Sequence, residues 1–140
     1  MYKLRTEAHF DSAHFLAGYN GKCANIHGHC WKLEVEISGC DLQQDREKRG
    51  MLIDFGDLKK AVRAAADSFD HTLIYEKGSL KATTLAALND EGFSLTEVDF
   101  RPTAENFSKH FYTMLSGQGL PVSRVTVYET AENCAYYEGE

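Results

Sequence analysis

Residues 2 to 14 alternate. Tyr2, Leu4, Ala8 and Phe10 fall on one parity, and Lys3, Arg5, Glu7 and Asp11 fall on the other. A period of two with one apolar face predicts a half-buried strand. A second alternating run covers 27 to 38, with Trp31, Leu33, Val35 and Ile37 on its odd face and Lys32, Glu34, Glu36 and Ser38 on its even face. Between them Gly18, Tyr19, Asn20, Gly21 and Lys22 let the chain reverse, so the two runs are expected to pair antiparallel.

From Asp54 the period lengthens. Phe55, Leu58, Val62, Ala65, Ala66 and Phe69 recur at helical spacing, and the alanine run favours helix. Asp54 or Asp57 is suited to cap its start. A second helix is expected over 104 to 116, opened by Pro102-Thr103, with Phe107, Phe111, Met114 and Leu115 on one face and Gly117 as the stop signal. Strand character returns at Ser123–Thr130 and again at Cys134–Glu138, with a turn at Glu132-Asn133. In Gly78 to Arg101 the pattern is weakest. Leu80, Leu85 and Leu88 permit a short helix there, and Phe93–Phe100 reads as irregular or as a short strand. The order strand, strand, helix, helix, strand, strand predicts an α+β fold with both helices on one face of an antiparallel sheet.

Length and charge narrow the picture. A chain of 140 residues, 43% hydrophobic, with two prolines and no low-complexity tract, is expected to form one domain over 1–140. Its 15 Lys+Arg against 21 Asp+Glu give a formal charge of -6, and no basic run is present, which argues against nucleic-acid and anionic-membrane partners. No apolar stretch is long enough for a membrane helix, and Met1 to Glu7 lack the apolar core of a signal peptide. A cytoplasmic location is therefore expected. In a reducing compartment Cys23, Cys30, Cys40 and Cys134 are read as thiols rather than as a disulfide framework.

The chemistry concentrates around His27-Gly28-His29. Residues i and i+2 of a strand share a face, so these two imidazoles can converge on one ion. His14 has the parity of the first strand's apolar face, and pairing of the strands would bring a third imidazole to the same side. Three neutral histidines leave one coordination position open, as in catalytic rather than structural zinc sites. The alternative, ordinary polar strand residues, requires burying that much imidazole without a partner. Cys23 stands four residues before His27, where a nearby dication would stabilise its thiolate; its other reading is a small buried hydrophobe. Cys30 points away from His29 by strand parity and makes a poor fourth ligand. Cys40 and Cys134 are expected to be packing residues. Asp70-His71 reads either as a helix C-terminus or as a carboxylate that orients an imidazole for proton transfer. Glu129 shares the parity of Val125 and Val127, so it is either solvated on an edge strand or awaits a two-pronged donor such as a guanidine-like heterocycle edge. Glu105 defaults to a partner of its helix dipole.

In combination these motifs resemble the 6-pyruvoyl-tetrahydropterin synthase family. The resemblance rests on Phe10-Asp11-Ser12-Ala13-His14, Cys23-Ala24-Asn25-Ile26-His27-Gly28-His29 and Leu52-Ile53-Asp54-Phe55-Gly56-Asp57-Leu58-Lys59. It continues, in order, through Asp70-His71, Pro102-Thr103-Ala104-Glu105-Asn106 and Val127-Tyr128-Glu129-Thr130. The three-residue spacer between Cys23 and His27 looks like the bacterial 6-carboxytetrahydropterin synthase branch of queuosine biosynthesis.

The resemblance implies a tunnelling fold: a four-stranded antiparallel sheet with two helices, closed into a trimeric or hexameric barrel with sites between subunits. It implies that His14, His27 and His29 hold zinc, and that Cys23, Asp70 and His71 move protons. Glu129 would anchor the pterin, with Thr103 and Glu105 lining the pocket. The implied reaction converts 7,8-dihydroneopterin triphosphate to 6-carboxy-5,6,7,8-tetrahydropterin, acetaldehyde and triphosphate. Two competing readings are a paralogue that acts on another pterin and a non-catalytic, zinc-stabilised binding module. No cluster of Lys or Arg offers itself for the triphosphate, Lys22 being one candidate.

Overall fold

The two alternating runs form one long antiparallel pair. In the computed structural model, which describes residues 1–140, β1 is Tyr2–His14 and β2 is His27–Gly39. They are followed by α1 (Phe55–Asp67), β3 (Leu73–Glu76), α2 (Ala82–Asp90), β4 (Leu95–Val98), α3 (Ala104–Gly117), β5 (Val122–Tyr128) and β6 (Cys134–Tyr137). A short 3-10 turn, Lys22–Ala24, lies in the β1–β2 connection.

The sheet has six strands, in the order β4-β3-β1-β2-β5-β6. Its β1-β2-β5-β6 part is antiparallel, as expected, but β3 pairs parallel with both β1 and β4. The expected four-stranded antiparallel sheet with two helices is thus corrected to a mixed six-stranded sheet with three helices. The physical reason lies in Leu73–Glu76 and Leu95–Val98. Strands of four residues, buried without strict alternation, leave almost no period to read. Parallel partners also need a crossover, which α2 supplies.

Helix ends follow local chemistry. Asp54 caps α1 by accepting the Gly56 N–H at 2.6 Å. Thr103 caps α3 through its hydroxyl, which accepts the Asn106 N–H at 3.2 Å. The stop of α3 is not Gly117, which remains helical. Gly119, at φ 93°, takes the left-handed conformation that turns the chain out.

One parity of each long strand is buried. Ala8 and Phe10 of β1, with Trp31, Leu33, Val35 and Ile37 of β2, meet Leu58, Val62 and Ala66 of α1 and Phe107, Phe111 and Leu115 of α3 in a single core cluster. Its centre is aromatic: Phe10 stacks on Trp31 with ring centroids 5.8 Å apart, and Phe111 meets Phe10 edge-on at 5.8 Å. The opposite parity is polar, with ion pairs Lys3–Glu36 at 3.1 Å and Arg5–Glu34 at 3.3 Å. Cys30, Cys40 and Cys134 are exposed, so the packing role expected for Cys40 and Cys134 is overturned: both sit where the chain has no core to offer.

These observations set two expected outcomes in chemical denaturation. Phe111→Ala, which empties a fully buried ring position, should cost about 3–5 kcal/mol. Lys3→Ala, which removes only a half-exposed ion pair, should stay within about 1 kcal/mol.

Candidate metal centre and proton-transfer groups

Register decides where the imidazoles go. Along β1 and β2, Phe10 faces Trp31, Ser12 faces His29 and His14 faces His27. Directly opposed residues point to the same side of a sheet, so the three histidines extend the buried stripe that begins with Phe10 and Trp31. His14 and His29 stand edge-on to the Trp31 indole, with centroids 5.0 and 5.2 Å away. The three rings offer ligand atoms that all lie within 4.8 Å of one another.

Backbone carbonyls orient two of these rings. His14 Nδ1 lies 2.7 Å from the Pro102 carbonyl, and His27 Nδ1 lies 2.7 Å from the Asn25 carbonyl. A carbonyl accepts only, so both Nδ1 atoms carry the proton and both Nε2 atoms present lone pairs. Those two Nε2 atoms are 3.1 Å apart. Two neutral rings so arranged repel unless a cation or a proton sits between them. His29 Nε2 is buried without a hydrogen-bond partner; its nearest charged neighbour, Glu129 Oε1, is 3.5 Å away and poorly aligned. Two converging lone pairs and an orphaned buried nitrogen are the donor set a divalent ion requires, and the residues fit a metal.

Electrostatics agree with that fit. Burial, reinforced by the two neighbouring imidazoles and opposed by the Pro102 carbonyl, pushes the pKa of His14 down to about 4. Burial also lowers that of His29, against the pull of Glu129. Both rings are neutral at neutral pH, which is the ligating form.

Asp70 and His71 are pinned to the edge of β1. The Asp11 N–H donates to Asp70 Oδ1 at 2.8 Å, and the His71 N–H donates to the Asp11 carbonyl at 2.7 Å. His71 Nδ1–H then donates to Asp70 Oδ2 at 2.8 Å. This arrangement holds His71 at φ 56°, the one non-glycine residue in the left-handed region. The bond from Asp70 raises the pKa of His71, and the Asp11 N–H lowers that of Asp70. The His71 side chain is 78% exposed. His71 and His29 both line an open, largely apolar groove of about 740 Å³, walled further by Ile26, Leu88, Phe93 and Leu95.

Other candidates are not joined within this chain. Cys23, in the 3-10 turn, is half-buried, and its thiol makes no hydrogen bond to Asp70 or His71. Thr103 spends its hydroxyl on the α3 cap, and Glu105 is exposed in the first helical turn. Glu129 lies one residue beyond the last β2–β5 pair, Lys32 with Tyr128, on the side of His29. Sequence reasoning missed the Pro102 and Asn25 carbonyls, because backbone atoms carry no residue signature. It also missed Ser12, whose buried hydroxyl donates to the Phe69 carbonyl just ahead of Asp70. The even parity of Ser12, between Phe10 and His14, was the available signal.

Comparison with known proteins places this geometry in context. The family model described as 6-pyruvoyl tetrahydropterin synthase matches residues 3–140. A 6-carboxy-5,6,7,8-tetrahydropterin synthase from Haemophilus influenzae is 42% identical over 145 residues, covering 99% of this chain and 100% of its own. A protein of the same name from Rickettsia felis is 34% identical, covering 96% and 97%. Among solved structures, 6-pyruvoyl tetrahydropterin synthase from Caenorhabditis elegans superposes with a TM-score of 0.69 at 22% identity, covering 99% of this chain and 96% of that one. An uncharacterized protein from Wolinella succinogenes reaches 0.81 at 22% identity, covering 99% and 98%.

The Asp70–His71 pair carries a pH signature. Because the folded pKa of His71 is raised, its pairing contributes stability fully below the ordinary histidine value and loses it as pH rises through the folded value. Asp70→Asn should move the His71 titration, followed by NMR of the ring nitrogens, down toward the ordinary range.

Proposed function

The chain belongs to the 6-pyruvoyl tetrahydropterin synthase family, and from that premise we propose that it is a 6-carboxy-5,6,7,8-tetrahydropterin synthase. In this reading it is a lyase that converts 7,8-dihydroneopterin triphosphate to 6-carboxy-5,6,7,8-tetrahydropterin, acetaldehyde and triphosphate, on the route to queuosine and other 7-deazapurines. The observation that carries the reading is the convergence of three histidine nitrogens, one of which, on His29, belongs to a ring that lines a groove together with His71.

His14, His27 and His29 would hold zinc, which suits a set of three nitrogens with a fourth position open. Bound there, zinc supplies a Lewis acid that polarises and acidifies the side-chain hydroxyls of the substrate. Cys23 acts as the base that takes a carbon-bound proton, and His71 returns or relays one. Asp70 orients His71 for that transfer and biases it toward the charged form. Glu129 accepts the adjacent N–H groups of the amino-pyrimidine edge, a two-pronged charge-assisted pairing that suits a half-exposed carboxylate. Thr103 and Glu105 line the pterin pocket.

Assembly completes this site. β1 pairs with β3 only at Ala13 and His14, which leaves most of that side of β1 open, and the terminal strands β4 and β6 each pair on one side only. Closing these open edges between copies gives a homotrimer or homohexamer in which Cys23 of one subunit meets Asp70-His71 of another. The exposure of His71 supports that arrangement. Residues 1–140 act as one domain in this reading, placed in the cytoplasm. No helix is long and apolar enough to cross a membrane.

Incubation with 7,8-dihydroneopterin triphosphate and mass analysis should give the 6-carboxy product with acetaldehyde. A 6-pyruvoyl product without acetaldehyde would overturn the assignment. Cys23→Ala should lower turnover by on the order of 10²–10⁴-fold while metal content and melting temperature stay near wild type. If metal content collapses instead, the thiol is structural and the lyase mechanism fails.

A further inference from the structure

The connection from β1 to β2 carries Cys23 but has little to hold it. Phe15 is its only buried residue. Its internal bonds run from Leu16 N–H to the Cys23 carbonyl (2.9 Å), from Tyr19 N–H to the Leu16 carbonyl (3.2 Å) and from Ala24 N–H to the Gly21 carbonyl (3.1 Å). These close the loop on itself, and at its far end the Asn25 carbonyl accepts from His27 Nδ1 at 2.7 Å where β2 begins. One side-chain hydrogen bond reaches residues 16–24 from another element: Arg101 Nη2 donates to the Ala17 carbonyl at 2.7 Å. The same guanidinium lies over the Tyr19 ring, 5.9 Å from its centroid.

Arg101 itself stands on a firm base. Its carbonyl accepts from Thr103 N–H at 2.8 Å and from Asn106 Nδ2 at 2.9 Å, both at the capped start of α3. The next carbonyl, that of Pro102, holds His14 Nδ1 at 2.7 Å. The dipeptide Arg101-Pro102 therefore touches both parts of the site, the cysteine loop through a side chain and the histidine cluster through a backbone atom. Arg101 is half-buried and pairs with no carboxylate in the chain, so its charge has no ion-pair role to explain it.

We infer that Arg101 is a positioning residue: its guanidinium sets the Cys23 loop at a fixed place relative to the His14–His27–His29 cluster. The effect on turnover rests on the reading of Cys23 as the proton-transferring thiol, whereas the anchoring of the loop does not. Without the clamp the loop keeps its internal bonds but loses its tie to α3. The thiol then samples positions away from the reacting carbon, and the penalty falls on kcat rather than on metal binding.

The test uses the metal-loaded wild type, Arg101→Ala and Arg101→Lys. Native alkylation by iodoacetamide is quantified for each cysteine by peptide mass spectrometry, with the exposed Cys40 and Cys134 as internal references. Arg101→Ala should speed labelling of Cys23 several-fold and leave the references and metal content unchanged. Its kcat should fall by on the order of 10- to 100-fold, with KM changed less. Arg101→Lys keeps the charge and a donor but not the planar fork, and should fall between. It carries the comparison if the alanine variant does not fold. Unchanged labelling of Cys23 in the folded variants overturns the inference, whatever happens to turnover. Faster labelling with full activity upholds the anchor and instead overturns the role assigned to Cys23.

Discussion

Everything at the site depends on the register between β1 and β2. With His14 opposite His27 and Ser12 opposite His29, an apolar stripe of Phe10 and Trp31 runs without a break into three imidazoles. A slip of one residue would turn the histidines of one strand to the opposite face. What resists that slip is the core itself: Trp31, Leu33, Val35 and Ile37 are fully buried on the same parity, and exposing them would cost far more than any single polar contact returns. The hydrophobic effect thus sets the aim of the ligands, and the Pro102 and Asn25 carbonyls then choose their tautomers.

Burial has a second consequence. It keeps His14 and His29 neutral, so the cluster presents lone pairs rather than charge at neutral pH. At the edge of β1 the opposite holds for His71, where an exposed ring bonded to Asp70 is biased toward the imidazolium. β1 therefore carries a neutral, ligating imidazole at His14 and, at Asp11, anchors an imidazole biased toward its charged form.

Much of this was legible in the residues. The bounds of β1, the faces of β2 and the helices at α1 and α3 follow from long, strongly periodic runs. The convergence of His14, His27 and His29 follows from parity alone once the strands pair. Other features were fainter. The short helix permitted by Leu80, Leu85 and Leu88 and the short strand left open in Phe93–Phe100 form as α2 and β4, but the four residues of β3 establish no period, and no residue pattern marks the parallel pairing of β3 with β1 and β4. The Pro102 and Asn25 contacts use backbone oxygen, for which residue identity is silent. Nothing local marks Arg101, because its contact with Ala17 spans 84 positions of sequence.

The zinc K-edge absorption spectrum of the purified protein reads the centre most directly. The account predicts a fit to three nitrogen ligands at about 2.0–2.1 Å with one further light-atom ligand, and about one zinc per chain. A zinc–sulfur distance of about 2.3 Å would place a thiolate on the metal, and a spectrum with no bound zinc would remove the centre altogether. Either result contradicts an open site built from His14, His27 and His29.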